Sequence, residues 1–278
     1  MTDSSFYTSQ LEQVKRCKAR ILPIKGLNDA SLCMGFTTRF GGVSEAPYNS
    51  LNLNFFREDD PEAVRQNFEL FSEDVGVSLE AMVLSRQVHS SRIIRVGSEH
   101  KGMGILRERS YGPVDGLATD EKNLMLVTYY ADCVPLYFYD PQKNAICLSH
   151  SGWKGTLQDI AGASVGFMAE AFGSRPEDIM MSFGPHIGSC CFEVGDDVAE
   201  AFFSTYSWSK DSACRNQAGK WMLDLEAIIT GSLIQKGLKK ENITGCPICT
   251  RCEHEVFFSH RGSGGKTGTG AAFLMMRG

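Results

Sequence analysis

Three short stretches carry side chains able to bind a metal or attack a substrate. Arg86-Gln87-Val88-His89, Ala131-Asp132-Cys133-Val134-Pro135 and Ser149-His150-Ser151-Gly152-Trp153-Lys154-Gly155 each place such a residue at the end of a strand-like run. Strand ends project into the crevice where sheet-and-helix proteins bind ligands. Two imidazoles and one thiolate would hold a tetrahedral zinc and leave a fourth position open to water or substrate. The same three residues would equally make a cysteine nucleophile with a histidine base. Long intervals separate them along the chain, so spacing leaves both readings open beside the plainer one of packing side chains.

Other stretches offer anion or metal sites. Gly152 and Gly155 let backbone approach a ligand, and a helix beginning near Thr156 would aim its free N–H groups at that loop, with Lys154 beside it. The polar loop Thr37-Thr38-Arg39-Phe40-Gly41-Gly42-Val43-Ser44, continued by Pro47-Tyr48-Asn49-Ser50-Leu51-Asn52-Leu53-Asn54, offers Arg39 as a bidentate clamp for phosphate. Asn52 is among its candidate substrate-binding amides. Gly264-Gly265-Lys266-Thr267-Gly268 fails as a P-loop, because His260 stands where that motif needs its first glycine and the segment beyond is strand-like. Cys246-Pro247-Ile248-Cys249-Thr250-Arg251-Cys252 looks like a metal knuckle but lacks a suitably spaced fourth ligand, so no metal is expected there. Adjacent Cys190 and Cys191 read as packing, as do the isolated Cys17, Cys33, Cys147 and Cys214.

Elements of both periods must position these groups. Strand-like runs cover Met82 to Leu84, Ile93 to Val96, Leu124 to Tyr129, Leu136 to Tyr139, Ala145 to Leu148 and Ile179 to Ser182, with terminal strands around Val256 to Ser259 and Ala271 to Met275. Asp140-Pro141-Gln142-Lys143-Asn144 predicts a hairpin. Helical patterns occupy about Thr156 to Phe172, Gly195 to Phe203 and Leu223 to Lys236, and Asp59-Asp60-Pro61 caps another over Pro61 to Phe71. Hairpins mixed with strand-to-helix units predict an α+β fold with a mixed sheet. No repeat or linker divides the chain, so a single domain over residues 21–278 follows an N-terminal appendage, residues 1–20.

The 278 residues carry 33 acidic against 28 basic side chains, a net charge of −5, which argues against nucleic-acid binding through bulk charge. At 42% hydrophobic and 22% charged the composition is that of a folded protein. The longest apolar stretch, Leu124 to Tyr139, is broken by Asp132 and Pro135 and is too short for a membrane helix. With no secretory signal in view, the chain is expected in the cytosol and its ten cysteines as thiols or metal ligands.

These ordered stretches resemble the YfiH/YlmD-type family, long labelled multicopper polyphenol oxidoreductases or laccases and now regarded as purine nucleoside phosphorylases with adenosine deaminase activity. The resemblance runs from about Gly35 to the C-terminus. Beyond the stretches above it rests on Asp115-Gly116-Leu117, Gly184-Pro185-His186-Ile187-Gly188, Cys191-Phe192-Glu193-Val194 and Phe257-Phe258-Ser259-His260-Arg261. It implies a layered αβα sandwich, catalysis and metal binding by His89, Cys133 and His150, zinc or else copper as the metal, and purine nucleosides and phosphate as partners. Arg39, Asn52, Lys154 and Arg261 are the candidates for binding substrate and phosphate. Lys154 replaces an arginine common in the family, as do Gly262 and Thr269. Rival readings are a copper oxidoreductase acting on phenols, a metal-free cysteine hydrolase or deamidase, and a non-catalytic zinc-binding protein. Preferred nucleoside and oligomeric state are not legible.

Overall fold

The computed structural model describes residues 3–27 and 29–278. The chain opens with helix α1 (Asp3–Cys17), strands β1 (Ile21–Pro23) and β2 (Leu32–Thr37), and helix α2 (Pro61–Val75). Short strands β3 (Met82–Leu84), β4 (Ile93–Arg95) and β5 (Gly116–Thr119) precede the longer β6 (Met125–Tyr130), β7 (Val134–Asp140) and β8 (Ala145–Ser151). Next come α3 (Trp153–Leu157), α4 (Ile160–Phe172), β9 (Met180–Phe183), β10 (Glu193–Val194) and α5 (Asp196–Thr205). The chain ends through β11 (Ala213–Arg215), β12 (Trp221–Leu223), α6 (Leu225–Gln235), β13 (Ile243–Thr244) and β14 (Gly270–Met276).

Local chemistry sets several of these bounds. The Asp60 side chain accepts the Glu62 N–H, Pro61 occupies the first turn of α2, and Gly76 closes the helix at φ 64°. At the hairpin, Asp140 Oδ1 accepts the N–H groups of Gln142 and Lys143, and β7 pairs antiparallel with β8 from Asp140↔Ala145 to Val134↔Ser151. The single helix expected over Thr156 to Phe172 is instead two. Asp159 breaks it at φ 55° and its side chain accepts the Gly162 N–H, starting α4 afresh.

The α+β class, mixed strand directions and single domain are as expected. The β layer of the sandwich is itself double: one mixed sheet runs β1-β2-β14-β6-β3, the other β13-β9-β7-β8-β5-β4, and β10-β12-β11 form a small third sheet. Alternation along the strands explains the layering. Met125, Val127, Phe273 and Met275 cluster with Phe68 and Phe71 of α2, whereas Leu126, Leu274 and Met276 join the core shared with β7 and β8. Two tyrosines tie the sheets together: Tyr137 of β7 donates to the Gly35 carbonyl at 2.8 Å, and Tyr130 of β6 to the Ser149 carbonyl at 3.1 Å. On the far side, Ser149 of β8 meets Ser164 of α4. The segment before Ile21, expected to stand as an appendage, lays Tyr7 and Val14 of α1 into that same core. Among the described residues no helix is long and apolar enough to cross a membrane.

Candidate metal and active site

The β7–β8 register places Pro135 opposite His150, and this brings Cys133, in the turn before β7, to the histidine. His89 arrives from the loop after β3. Its Nε2 lies 3.7 Å from Cys133 Sγ, its ring centroid is 4.9 Å from that of His150, and one ligand atom from each of the three lies within 4.8 Å of the others. Two of the approaches need unusual backbone, with φ 62° at His89 and 89° at Asp132. Side chains hold both. Asp132 Oδ1 accepts from Thr250 Oγ1 at 2.7 Å and Oδ2 from the Arg261 N–H at 2.6 Å. Buried Asp115 accepts the N–H groups of Val88, His89 and Ser90, the Ser90 hydroxyl, and His150 Nδ1.

Charge follows from this packing. Burial opposes ionisation of the Cys133 thiol, but His150 and His89 outweigh it and lower its pKa to about 6. Burial opposes a charged His150 as well, yet Cys133 and Asp115 raise its pKa to about 9. Burial pushes Asp115 up, and its hydrogen bonds from His150 and Ser90 bring it below the ordinary value. A thiolate and two imidazoles, one anchored by a carboxylate, suit a zinc-class ion with an open position. Gly152 keeps that space clear. A Cβ there would stand 2.4 Å from His89 Cδ2 and 3.1 Å from Cys133 Sγ.

The three residues sit in a cleft of about 710 Å³, large enough for a nucleoside-sized ligand. Its lining includes Arg57, Arg86 and Arg261 together with Phe56, Trp153 and Phe192. Arg57 is the basic group coupled to the metal-site residues: burial lowers its pKa while Tyr48 and the Cys133 charge raise it, and its Nε donates to Thr269 Oγ1 at 3.0 Å. That bond brings a guanidinium to Thr269 from a distant part of the chain.

The other candidates divide. Arg261 lines the cleft, with Nη1 on the Cys191 and Glu193 carbonyls. Arg39 is not among the lining residues. Its guanidinium is held by the Asn49 and His254 carbonyls and lies over the Phe258 ring, so it braces loops rather than facing a ligand. Asn52 is fully buried and ties Asp59 to the Thr269 N–H, a scaffolding role that leaves no group for substrate. Lys154 is exposed over its neighbour Trp153, outside the cleft lining, because the Gly152 to Gly155 turn is already helix α3 and not a loop. Asp115, Arg57 and Arg86 went unrecognised as site residues; Asp115 and Arg86 stood in noted stretches without being singled out, and no local pattern marks Arg57.

The cysteines need a correction too. Cys190 and Cys191 meet Cys249 and Cys252, all four sulfurs within 4.8 Å of one another, so two sulfurs from a distant loop complete a four-donor group that the knuckle alone lacks. Cys246 stays apart, its N–H bonded to Glu226. Cys17 and Cys214, expected to be buried, are exposed.

Fold and site together define a double-sheet α+β protein with a histidine–cysteine donor set in an arginine-lined cleft. The chain belongs to the family described as multi-copper polyphenol oxidoreductase laccase, which it matches over residues 33–277. It is 35% identical over 251 residues to a Bacillus subtilis protein named purine nucleoside phosphorylase YlmD, covering 90% of each. It is also 35% identical over 241 residues to adenosine deaminase RL5 from an unknown prokaryotic organism, covering 84% of this chain and 92% of that one. The crystal structure of YlmD from Geobacillus stearothermophilus superposes with a TM-score of 0.89 at 34% identity, over 94% of this chain and 97% of that one.

Proposed function

We propose that the chain is a cytosolic purine-nucleoside enzyme. It cleaves adenosine, inosine, guanosine and methylthioadenosine with phosphate and deaminates adenosine with water, using zinc at His89, Cys133 and His150. The observation that carries this reading is the donor set opening on a cleft lined by arginines and aromatic rings. The names of the relatives support the substrate class.

When bound, the zinc would supply Lewis acidity and acidify water at its open position. The chain's own groups do the rest. Asp115 holds His150 through Nδ1, which leaves Nε2 as the ring nitrogen for Cys133 and a metal, and Cys133 carries the negative charge of the donor set. Phe56, Trp153 and Phe192 offer faces to a purine. Arg57, Arg86 and Arg261 neutralise phosphate. In phosphorolysis a phosphate oxygen bonds to the ribose anomeric carbon as the C–N bond breaks and the purine leaves with the electron pair. In deamination water adds at C6 of adenine and ammonia leaves, giving inosine.

A multicopper phenol oxidase would need more imidazoles: the chain has six histidines, and the two metal-capable clusters of the described residues contain only two of them. The deciding experiment incubates zinc-loaded protein with adenosine, inosine and methylthioadenosine, with and without phosphate, and identifies products. Free base with ribose 1-phosphate, or with methylthioribose 1-phosphate from methylthioadenosine, and, from adenosine, inosine with ammonia are expected. A zinc-loaded, folded protein that turns over none of these sinks the reading, and phenol oxidation by the copper-loaded form alone would replace it.

A further inference from the structure

The four-cysteine cluster lies outside the donor set used above, and nothing in the proposed reaction needs it. In sequence it is two pairs, adjacent Cys190-Cys191 and Cys249-Thr250-Arg251-Cys252. The second pair has the two-residue gap common in structural zinc sites. Cys190 Sγ lies 3.6 Å and Cys191 Sγ 3.5 Å from Cys252 Sγ. A tetrahedral tetrathiolate zinc with bonds of about 2.3 Å has sulfur–sulfur edges of about 3.8 Å. The sulfurs already stand close to that arrangement. All ten cysteines of the chain are unpaired, so no disulfide competes for them.

Packing does not account for this convergence, because Cys190 and Cys252 are exposed while Cys191 and Cys249 are buried. Two hydrogen-bond donors face sulfurs of the cluster. The Gly188 N–H donates to Cys249 Sγ at 3.3 Å and Arg251 Nη1 to Cys191 Sγ at 3.4 Å. Such donors offset the charge of four thiolates on a divalent ion.

We propose that Cys190, Cys191, Cys249 and Cys252 form a second metal site, a structural tetrathiolate centre for a zinc-class divalent ion. Its place suggests its purpose. The ion joins the loop after β9 to the loop after β13, which are already linked by His186 N–H to the Ile248 carbonyl and Thr250 N–H to the His186 carbonyl. These loops carry Ile187, Phe192, His260 and Arg261 into the cleft, and Thr250 and Arg261 hold Asp132 beside Cys133. Metal at the cysteines therefore fixes one wall of the cleft without touching its donor set.

The test counts zinc in full-length protein purified anaerobically with zinc and freed of loose metal. Two ions per chain are expected, one after Cys190→Ser/Cys252→Ser, and one after His89→Ala. Cobalt-loaded His89→Ala should show the intense sulfur-to-cobalt absorption of a multi-thiolate site, and the same variant with both serines should lose it. A single ion that disappears with His89→Ala, or two ions unchanged by the double serine variant, overturns the proposal. Should the double variant misfold, wild-type labelling decides. Exposed Cys190 and Cys252 should resist a thiol reagent until a chelator is added, and immediate labelling, or disulfides among the four in the anaerobic protein, overturns the proposal as well.

Discussion

Asp115 Oδ1 lies 2.9 Å from His150 Nδ1, and the same oxygen accepts the His89 N–H at 2.9 Å. One buried carboxylate thus orients both histidines of the donor set. In Asp115→Asn the amide nitrogen can donate but not accept, so the bonds to one of the two oxygens are lost, either this pair on Oδ1 or those from Val88 and Ser90 on Oδ2. Removing such a support typically costs about 10- to 100-fold in metal affinity. A chelator competition for zinc should show that loss, and wild-type affinity in the variant would mean that Asp115 only shapes the loop.

Gly152→Ala should act on His89 rather than on folding. The added methyl falls on the His89 imidazole, an exposed side chain free to swing away and so leave the donor set. Expected are weaker zinc binding and a turnover loss of at least about tenfold, corresponding to about 1.4 kcal/mol, with a thermal midpoint close to wild type. A variant that keeps full zinc affinity would show that the ring accommodates the methyl in place.

In metal-free protein Cys133 should be alkylated with a midpoint near pH 6, since its pKa is lowered to about 6 mainly by the neighbouring His150. The sign is set by the thiolate being the nucleophile: reactivity falls as pH drops through 6 and stays high above it. His150 remains charged up to about pH 9, so it supports the thiolate throughout that window. His150→Asn should move the midpoint toward the ordinary thiol value. Saturating zinc should protect Cys133, and Cys133→Ala should abolish nucleoside turnover; intact turnover in that variant removes zinc from the mechanism.

Arg57 and Arg39 should separate in kinetics. Arg57→Ala removes a guanidinium from the cleft and should weaken phosphorolysis by about two decades, worth a few kcal/mol, while phosphate-independent deamination survives in larger part. Arg39→Ala instead unties the Asn49 and His254 carbonyls and should lower the melting temperature and affect both reactions alike. The reverse pattern would return the phosphate to Arg39.

Much of the scaffold is written locally. The caps of α2, the Asp140 turn and the strand runs that become β6 to β9 follow from backbone preferences and periodicity, whose range is a few residues. The ordered motifs also place the chain in its family, and residue type alone marks His89, Cys133 and His150 as metal-capable. What a loop side chain does is set by partners far away in sequence, and these only the tertiary structure decides. Arg39 looks the same whether it meets phosphate or two carbonyls, and one of these, that of His254, comes from a loop that only the packed sheets bring to it. Arg57 has no motif at all, yet packing leaves it half-buried within reach of the Cys133 charge. Cys249 and Cys252 have no third and fourth donor near them along the chain, and Cys190 and Cys191 reach them because the loops after β9 and β13 fold side by side, those two strands being parallel neighbours in one sheet.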